Sequence, residues 1–387
     1  MKKKFEKTFF LGLCLSLFLQ GEVNGLGNYA LVNVSTFPTH FSGDAEYLYW
    51  TTTSIPEPVP LVTEEASVVL GKKNISSEWR SGGRFKLGCS FDDCLPLERC
   101  NVVGIDVCYL FLPRFSKKME VVSNGLEGSP NYNIPFFNVL ANEEDSKPLS
   151  LTGVFAGTGT LKVHNSIQGA EINGYLNIEE GNHLEYGLLA GFRYFNLTES
   201  VAFHVNSPYI LNPDVWITED SFHARNNFYG GQIGVNTSVN YCNFFADATL
   251  KIALGAICKE ASISGHLLTN DFTNRTKVQK FPGGYFTMPT NIGHQSQTSF
   301  SVMPEVNLNI RYLFTDYLKL TVGYTFIYVS EVLRAGNEIN RNINPTQSVT
   351  IEDSPNATLV GEAAPQASLK SSSFWTQGIN AGIEFNF

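Results

Sequence analysis

Arg193, Asp247, Lys251, Glu305, Arg311 and Glu384 each stand inside a run whose immediate neighbours are mostly apolar or small. Glu46, Glu185 and Lys319 share that setting. A charge in such company needs water or a partner. Acids and bases are mixed, and opposed charges around an aqueous passage set a transverse field that discriminates among ions. The other reactive set is cysteine: Cys89, Cys94, Cys100, Cys108, Cys242 and Cys258 remain once the first residues are set aside. An even number in an exported chain invites disulfides, and Cys89 and Cys100 flank a turn whose strands they could bridge. No CxxC pair is present and no histidine lies near the first cysteine group, so no metal site is expected. His183 and His204 have no Ser or Asp motif beside them that would make a hydrolytic triad. No catalytic residue and no cofactor are expected, and the chain is read as a non-enzyme.

The elements that must position these charges are strands. Leu184, Tyr186, Leu188, Ala190, Phe192 and Tyr194 alternate with Glu185, Gly187, Leu189, Gly191 and Arg193. The same period of two runs through Phe244–Ala256, Phe300–Phe314 and Leu318–Tyr328, and through the last residues from Trp375 to Phe387. Shorter or weaker runs cover Asp44–Thr53, Glu78–Ser90, Val102–Leu112, Gly157–Ile178 and Phe228–Val239. Helical periodicity is nearly absent. Strands of a soluble sandwich run about 5 or 6 residues, whereas a tilted bilayer crossing needs about 9 to 11. Several runs reach the longer figure, and their mid-strand charges all lie on the wet face. A charge facing lipid near the bilayer centre costs about 2 to 4 kcal/mol for Arg or Lys, so that face belongs to a lumen.

The ends agree. Lys2, Lys3, Lys4 and Lys7 precede an apolar run from Phe9 to Leu19 and a small-residue exit at Gly25, the pattern of a signal peptide over residues 1–25. Its removal moves the formal net charge from −9 to −11, which argues against nucleic acid as a partner. The mean hydropathy of −0.06 would suit a soluble protein, but alternation cancels in any such average. The expected fold is all-β: a transmembrane antiparallel barrel of roughly 10 to 14 strands over residues 26–387, closed by the strand that ends in Phe387. Long loops are expected at about 119–151, 205–226, 263–298 and 331–372, with the first either outside or folded into the lumen.

Specific residues are also familiar. AEYLYW (Ala45–Trp50), LLAGFRYFNLTES (Leu188–Ser200), NNFYGGQIG (Asn226–Gly234), LKIALG (Leu250–Gly255), the run Met303–Gln347 and FWTQGINAGIEF (Phe374–Phe385) occur in this order. Together they resemble the putative β-barrel porin-7 family of bacterial outer membranes, over about Asp44 to Phe387. The resemblance implies an outer-membrane location, with lipid and the barrel-assembly machinery as partners, and a C-terminal assembly signal at Phe385 and Phe387. It implies a porin, expected to pass small hydrophilic solutes or ions by passive diffusion; a homo-oligomer is a separate expectation, outside the resemblance. A structural or adhesive surface protein, cross-linked through cysteine, is the alternative. Eight-stranded barrels are filled by their side chains and those of 16 or more enclose a channel, so the expected strand number suits both an open and a filled lumen.

Overall fold

The computed structural model describes residues 40–92, 101–180, 183–211, 214–273 and 275–387. The expected signal peptide, Cys94 and Cys100 lie outside these residues. In chain order the strands are β1 (His40–Thr52), β2 (Pro60–Glu64), β3 (Ser67–Gly71), β4 (Arg80–Asp92), β5 (Asn101–Ser123), β6 (Tyr132–Asn138), β7 (Glu143–Pro148) and β8 (Gly157–Glu180). There follow β9 (Leu184–Asn206), β10 (Trp216–Tyr241), β11 (Phe244–Thr269), β12 (Gln279–Pro282), β13 (Gly293–Thr315), β14 (Leu318–Leu333), β15 (Asn342–Ile343) and β16 (Ser371–Asn386).

Ten of these are staves of one antiparallel barrel, in the order β10-β9-β8-β5-β4-β1-β16-β14-β13-β11, which closes because β10 and β11 also pair. β12 is an extra strand on β11. The terminal strand joins the first from Ser42↔Asn386 to Thr52↔Thr376, as its alternation predicts. A closed ladder leaves no row of unpaired backbone groups, which a hydrocarbon environment requires.

Six staves are far longer than a crossing needs: β5, β8, β9, β10, β11 and β13 have 23, 24, 23, 26, 26 and 23 residues. Along them the apolar face changes sides. On β9 the exposed Tyr186, Leu188 and Phe192 point outward, but from Phe195 the apolar residues Leu197, Val201, Phe203 and Val205 point inward and are buried. On β11 outward Leu250, Ile252 and Leu254 give way to inward Ile257, Ala261, Ile263 and Leu267. The outward band Phe244–Ala256 makes about 12 steps of roughly 3.4 Å, or about 30 Å of height at a tilt near 40°. Beyond that band the barrel projects as a collar, polar outside and apolar inside.

This inversion corrects the expected loops. Most of 205–226 is strand, because β9 runs to Asn206 and β10 begins at Trp216. Likewise β11 continues to Thr269 and β13 begins at Gly293, shortening 263–298, and β5 runs to Ser123 within 119–151. In the 331–372 stretch only the two ends are stave, with β14 stopping at Leu333 and β16 starting at Ser371. The collar segments carry polar outward residues, so they lack the greasy outer face by which a membrane strand is recognised.

The connections at the collar end fold into a cap. β2, β3, β6, β7 and β15 form a second small sheet. Ile134, Phe136 and Leu149 from the 119–151 segment share one buried cluster with Val62, Tyr285, Phe286, Ile343 and the inward stave residues Val163, Phe203 and Ala261. That segment therefore packs against the inside of the collar. Gly336 marks a close approach of two connections, since a Cβ there would lie 1.7 Å from the Pro56 carbonyl oxygen. In β5 the register shifts between Leu112 and Phe115, and Arg80 ties the irregular stretch by donating to the Pro113 and Asn165 carbonyls at 3.1 and 3.0 Å.

Candidate functional site

The lumen is layered. From the end with short turns, a cavity of about 420 Å³ is lined by Asp44, Glu46, Arg84, Lys86, Asp106, Glu171, Glu185, Asp247, Lys251, Arg311, Lys319 and Glu384, with several asparagines. Parity explains the lining: each of these residues sits on the inward phase of its stave.

Most of these charges are paired in that space. Arg311 bridges Asp247 and Glu384, the latter at 2.7 Å, and Lys319 approaches Glu384 at 3.2 Å. Deeper, Lys251 sits 2.8 Å from Glu171 and 2.9 Å from Glu305, while Arg193 holds Glu305 from the other side. Arg84 pairs with Glu46 at 2.5 Å and donates to Asn307 Oδ1 at 3.1 Å. Burying a lone ion costs several kcal/mol, and Glu46, Glu171, Asp247, Glu305 and Glu384 are each matched by a base from another stave, whereas Asp44 Oδ1 has no hydrogen-bond partner. These pairs tie β1 to β4, β8 to β11, β9 to β13, and β11 and β16 to β13.

Of the residues singled out in the sequence, Glu46, Arg193, Asp247, Lys251, Glu305, Arg311, Lys319 and Glu384 all point inward and make ion pairs, and Glu185 lines the cavity. Arg84, Lys86, Asp106 and Glu171 escaped notice, although Lys86 reaches Asp106 at 3.4 Å and Asn173 donates to Asp106 at 3.0 Å. Their parity within the Glu78–Ser90, Val102–Leu112 and Gly157–Ile178 runs was the available signal.

Above the ion pairs the lumen becomes apolar. Leu48 and Trp50 (β1), Leu110 and Leu112 (β5), Ile167 (β8), Phe195 and Leu197 (β9), Phe228 (β10), Ala253 and Ile257 (β11), Met303 (β13), Ile327 and Val329 (β14) and Phe374 (β16) form one cluster. Nine of the ten staves contribute to it, and β4 passes this zone with small Gly82. All are at most 6% exposed. Gly378 makes room for the indole, as a Cβ there would lie 2.5 Å from Trp50 Cδ1, and Trp50 Nε1 donates to Asn380 Oδ1 at 2.7 Å. This is a septum across the barrel.

Past the septum the wall grips the cap. Arg334, from the connection after β14, donates from Nε and Nη2 to the two Glu199 oxygens at 2.8 and 2.9 Å, and to the Ser54 carbonyl at 2.9 Å. Asn226 exchanges two hydrogen bonds with the Leu333 backbone. The Asp220 carboxylate accepts from the backbone N–H groups of Tyr285, Phe286 and Thr287 at 2.8–3.0 Å. Glu199, Asp220 and Asn226 are inward residues of the collar, where no membrane-type alternation advertises them.

The expected disulfides are corrected for the described residues: Cys89, Cys108, Cys242 and Cys258 are free thiols. Cys89 and Cys258 face outward on staves well apart in the barrel order, Cys108 faces inward and Cys242 lies in the β10–β11 turn, so none meets another. At the C-terminus, Phe387 and Phe41 exchange backbone hydrogen bonds at 2.8 and 2.9 Å, and the Phe385 and Phe387 rings stack at 6.3 Å.

A family model described as Putative beta barrel porin-7 matches residues 43–387. No curated protein matches the chain. Among solved structures, the outer membrane protease OmpT from Escherichia coli aligns at 9% identity over 92% of this chain and 99% of its own, with a TM-score of 0.38. The TodX deltaS2S3 mutant monoaromatic hydrocarbon channel aligns at 7% identity over 91% of each chain, with a TM-score of 0.22. Neither activity is carried over at such likeness.

Proposed function

The chain belongs to the Putative beta barrel porin-7 family, and from that premise we propose that it is an outer-membrane barrel held shut by its own septum. Its role in this reading is to anchor and present the capped collar at the cell surface, as a non-catalytic structural protein of the envelope. The observation that carries it is the apolar layer contributed by nine staves. An ion crossing that layer would lose most of its hydration to apolar side chains, since the few buried polar groups between them, such as Asn380 and Thr325, already bond one another. The outward apolar band supports lipid as the partner of the lower barrel, and the short turns at one end with long connections at the other support a collar on the outer side. Export through residues 1–25 belongs to the same proposal.

The second reading, passive diffusion of small solutes, is favoured by the family and by the charged cavity at the short-turn end. It requires the septum and cap to move. Planar-bilayer recording separates the two. Protein refolded to its heat-modifiable form should give no steady ohmic steps. Stable steps at low voltage would overturn the closed-barrel reading in favour of the porin.

A further inference from the structure

Five of the seven histidines project from the outer face of the collar: His164, His204, His223, His266 and His294. They fall in two rows. In one row His164, His223 and His294 are separated by Ser200 and Ser262, each histidine directly opposite a serine. In the other, Glu219 of β10 lies directly opposite His204 of β9 on one side and His266 of β11 on the other.

Parity puts the second trio on one surface. Buried Val205 and Phe203 flank His204, buried Thr218 and Asp220 flank Glu219, and buried Leu267 follows His266, so all three point away from the lumen. Directly opposed residues in an antiparallel pair have Cβ atoms about 4.5 to 5.5 Å apart. Two imidazoles can thus lean from either side toward the carboxylate between them. Among the described residues none of the three makes a hydrogen bond that would have to break, and both Glu219 and His266 act electrostatically on His204. Lys162, diagonal to His204, is the one cation that also acts on it and opposes a bound ion.

We propose that His204, Glu219 and His266 bind a divalent transition-metal ion on the outside of the collar, through two imidazole nitrogens and one carboxylate. Zinc, copper and nickel take this donor set, whereas magnesium and calcium prefer oxygen alone. Three protein ligands leave a position for water or a further ligand. Among the described residues no such trio is already gathered around one point, so the site forms by rotamer change on a fixed ladder. The bound ion would staple three adjacent staves beyond the membrane, where no lipid supports them.

The test is calorimetric titration of Zn²⁺ into the untagged full chain, refolded in micelles and with its thiols alkylated. One equivalent should bind. His204→Ala, Glu219→Gln and His266→Ala should each weaken binding at least about tenfold, since loss of even an outer partner costs about 10- to 100-fold. His223→Ala, in the serine-separated row, should leave it unchanged. Co²⁺ should give visible absorption in the wild type that is lost in His204→Ala. The proposal fails if zinc does not bind, if the trio variants bind as tightly as the wild type, or if His223→Ala loses as much as they do. All four substitutions are on the exposed side of the wall, and heat-modifiable mobility checks that each variant is folded.

Discussion

Glu199 on the barrel wall and Arg334 in the cap meet through two parallel hydrogen bonds of 2.8 and 2.9 Å, with side chains 0% and 2% exposed. The Phe374 ring of the septum lies 5.5 Å beneath the guanidinium. One ion pair therefore joins the three parts that close the lumen: the collar wall, the connection after β14 and the apolar layer.

Arg334→Met should destabilise the barrel by about 3 to 5 kcal/mol, because it strands the Glu199 carboxylate in an apolar setting. Denaturant unfolding in micelles measures it. The double variant Glu199→Gln/Arg334→Met should recover much of the loss, as a neutral pair leaves no buried charge. A double variant as unstable as the single one would mean that the pair contributes packing and not charge matching.

Phe228→Ala combined with Met303→Ala should turn a silent bilayer into one with small conductance steps, by thinning the septum from two staves. Each truncation also costs about 2 to 5 kcal/mol, so heat-modifiable mobility must show a folded barrel first. A folded double variant that stays silent would shift the barrier from the septum to the cap.

Deleting Phe387 removes both backbone hydrogen bonds to Phe41 at the seam between first and last strands. Outer-membrane levels of the truncated chain should drop while export continues. Equal levels of full-length and truncated protein in the outer-membrane fraction would argue against an assembly role for this residue.

Glu57, in the connection after β1, is 1% exposed and neither of its carboxylate oxygens finds a partner. Burial pushes its pKa up to about 8, with the nearby Val59 backbone, which falls short of hydrogen-bond geometry, acting the other way. In the unfolded chain it ionises near 4.5. The folded state holds the proton longer, so this group's contribution is complete below pH about 4.5 and is lost as the pH rises through about 8. Glu57→Gln should flatten that decline and stabilise the protein at neutral pH and above. A decline of the same size in Glu57→Gln would assign it to another group.

Sequence alone determined the class of fold and the inward phase. Leu184–Tyr194 and Phe244–Ala256 alternate because one face meets lipid and the other does not, and a period of two is visible without any partner strand. Eight of the nine charges picked out on that basis are paired inside the lumen. Only the tertiary structure decided what the pairs enclose. Parity carries Tyr194 outward and Phe195 inward, but nothing local tells that the inward face turns apolar at Phe195 because it enters the septum. That switch depends on where the bilayer stops. Below that level the outside is lipid and the apolar face turns out, while above it the outside is water and the apolar residues serve an interior filled by the cap. Closure, stave number and the meeting of Glu199 with Arg334, 135 positions apart, arise from long-range pairing. No window of sequence contains both partners of such a contact.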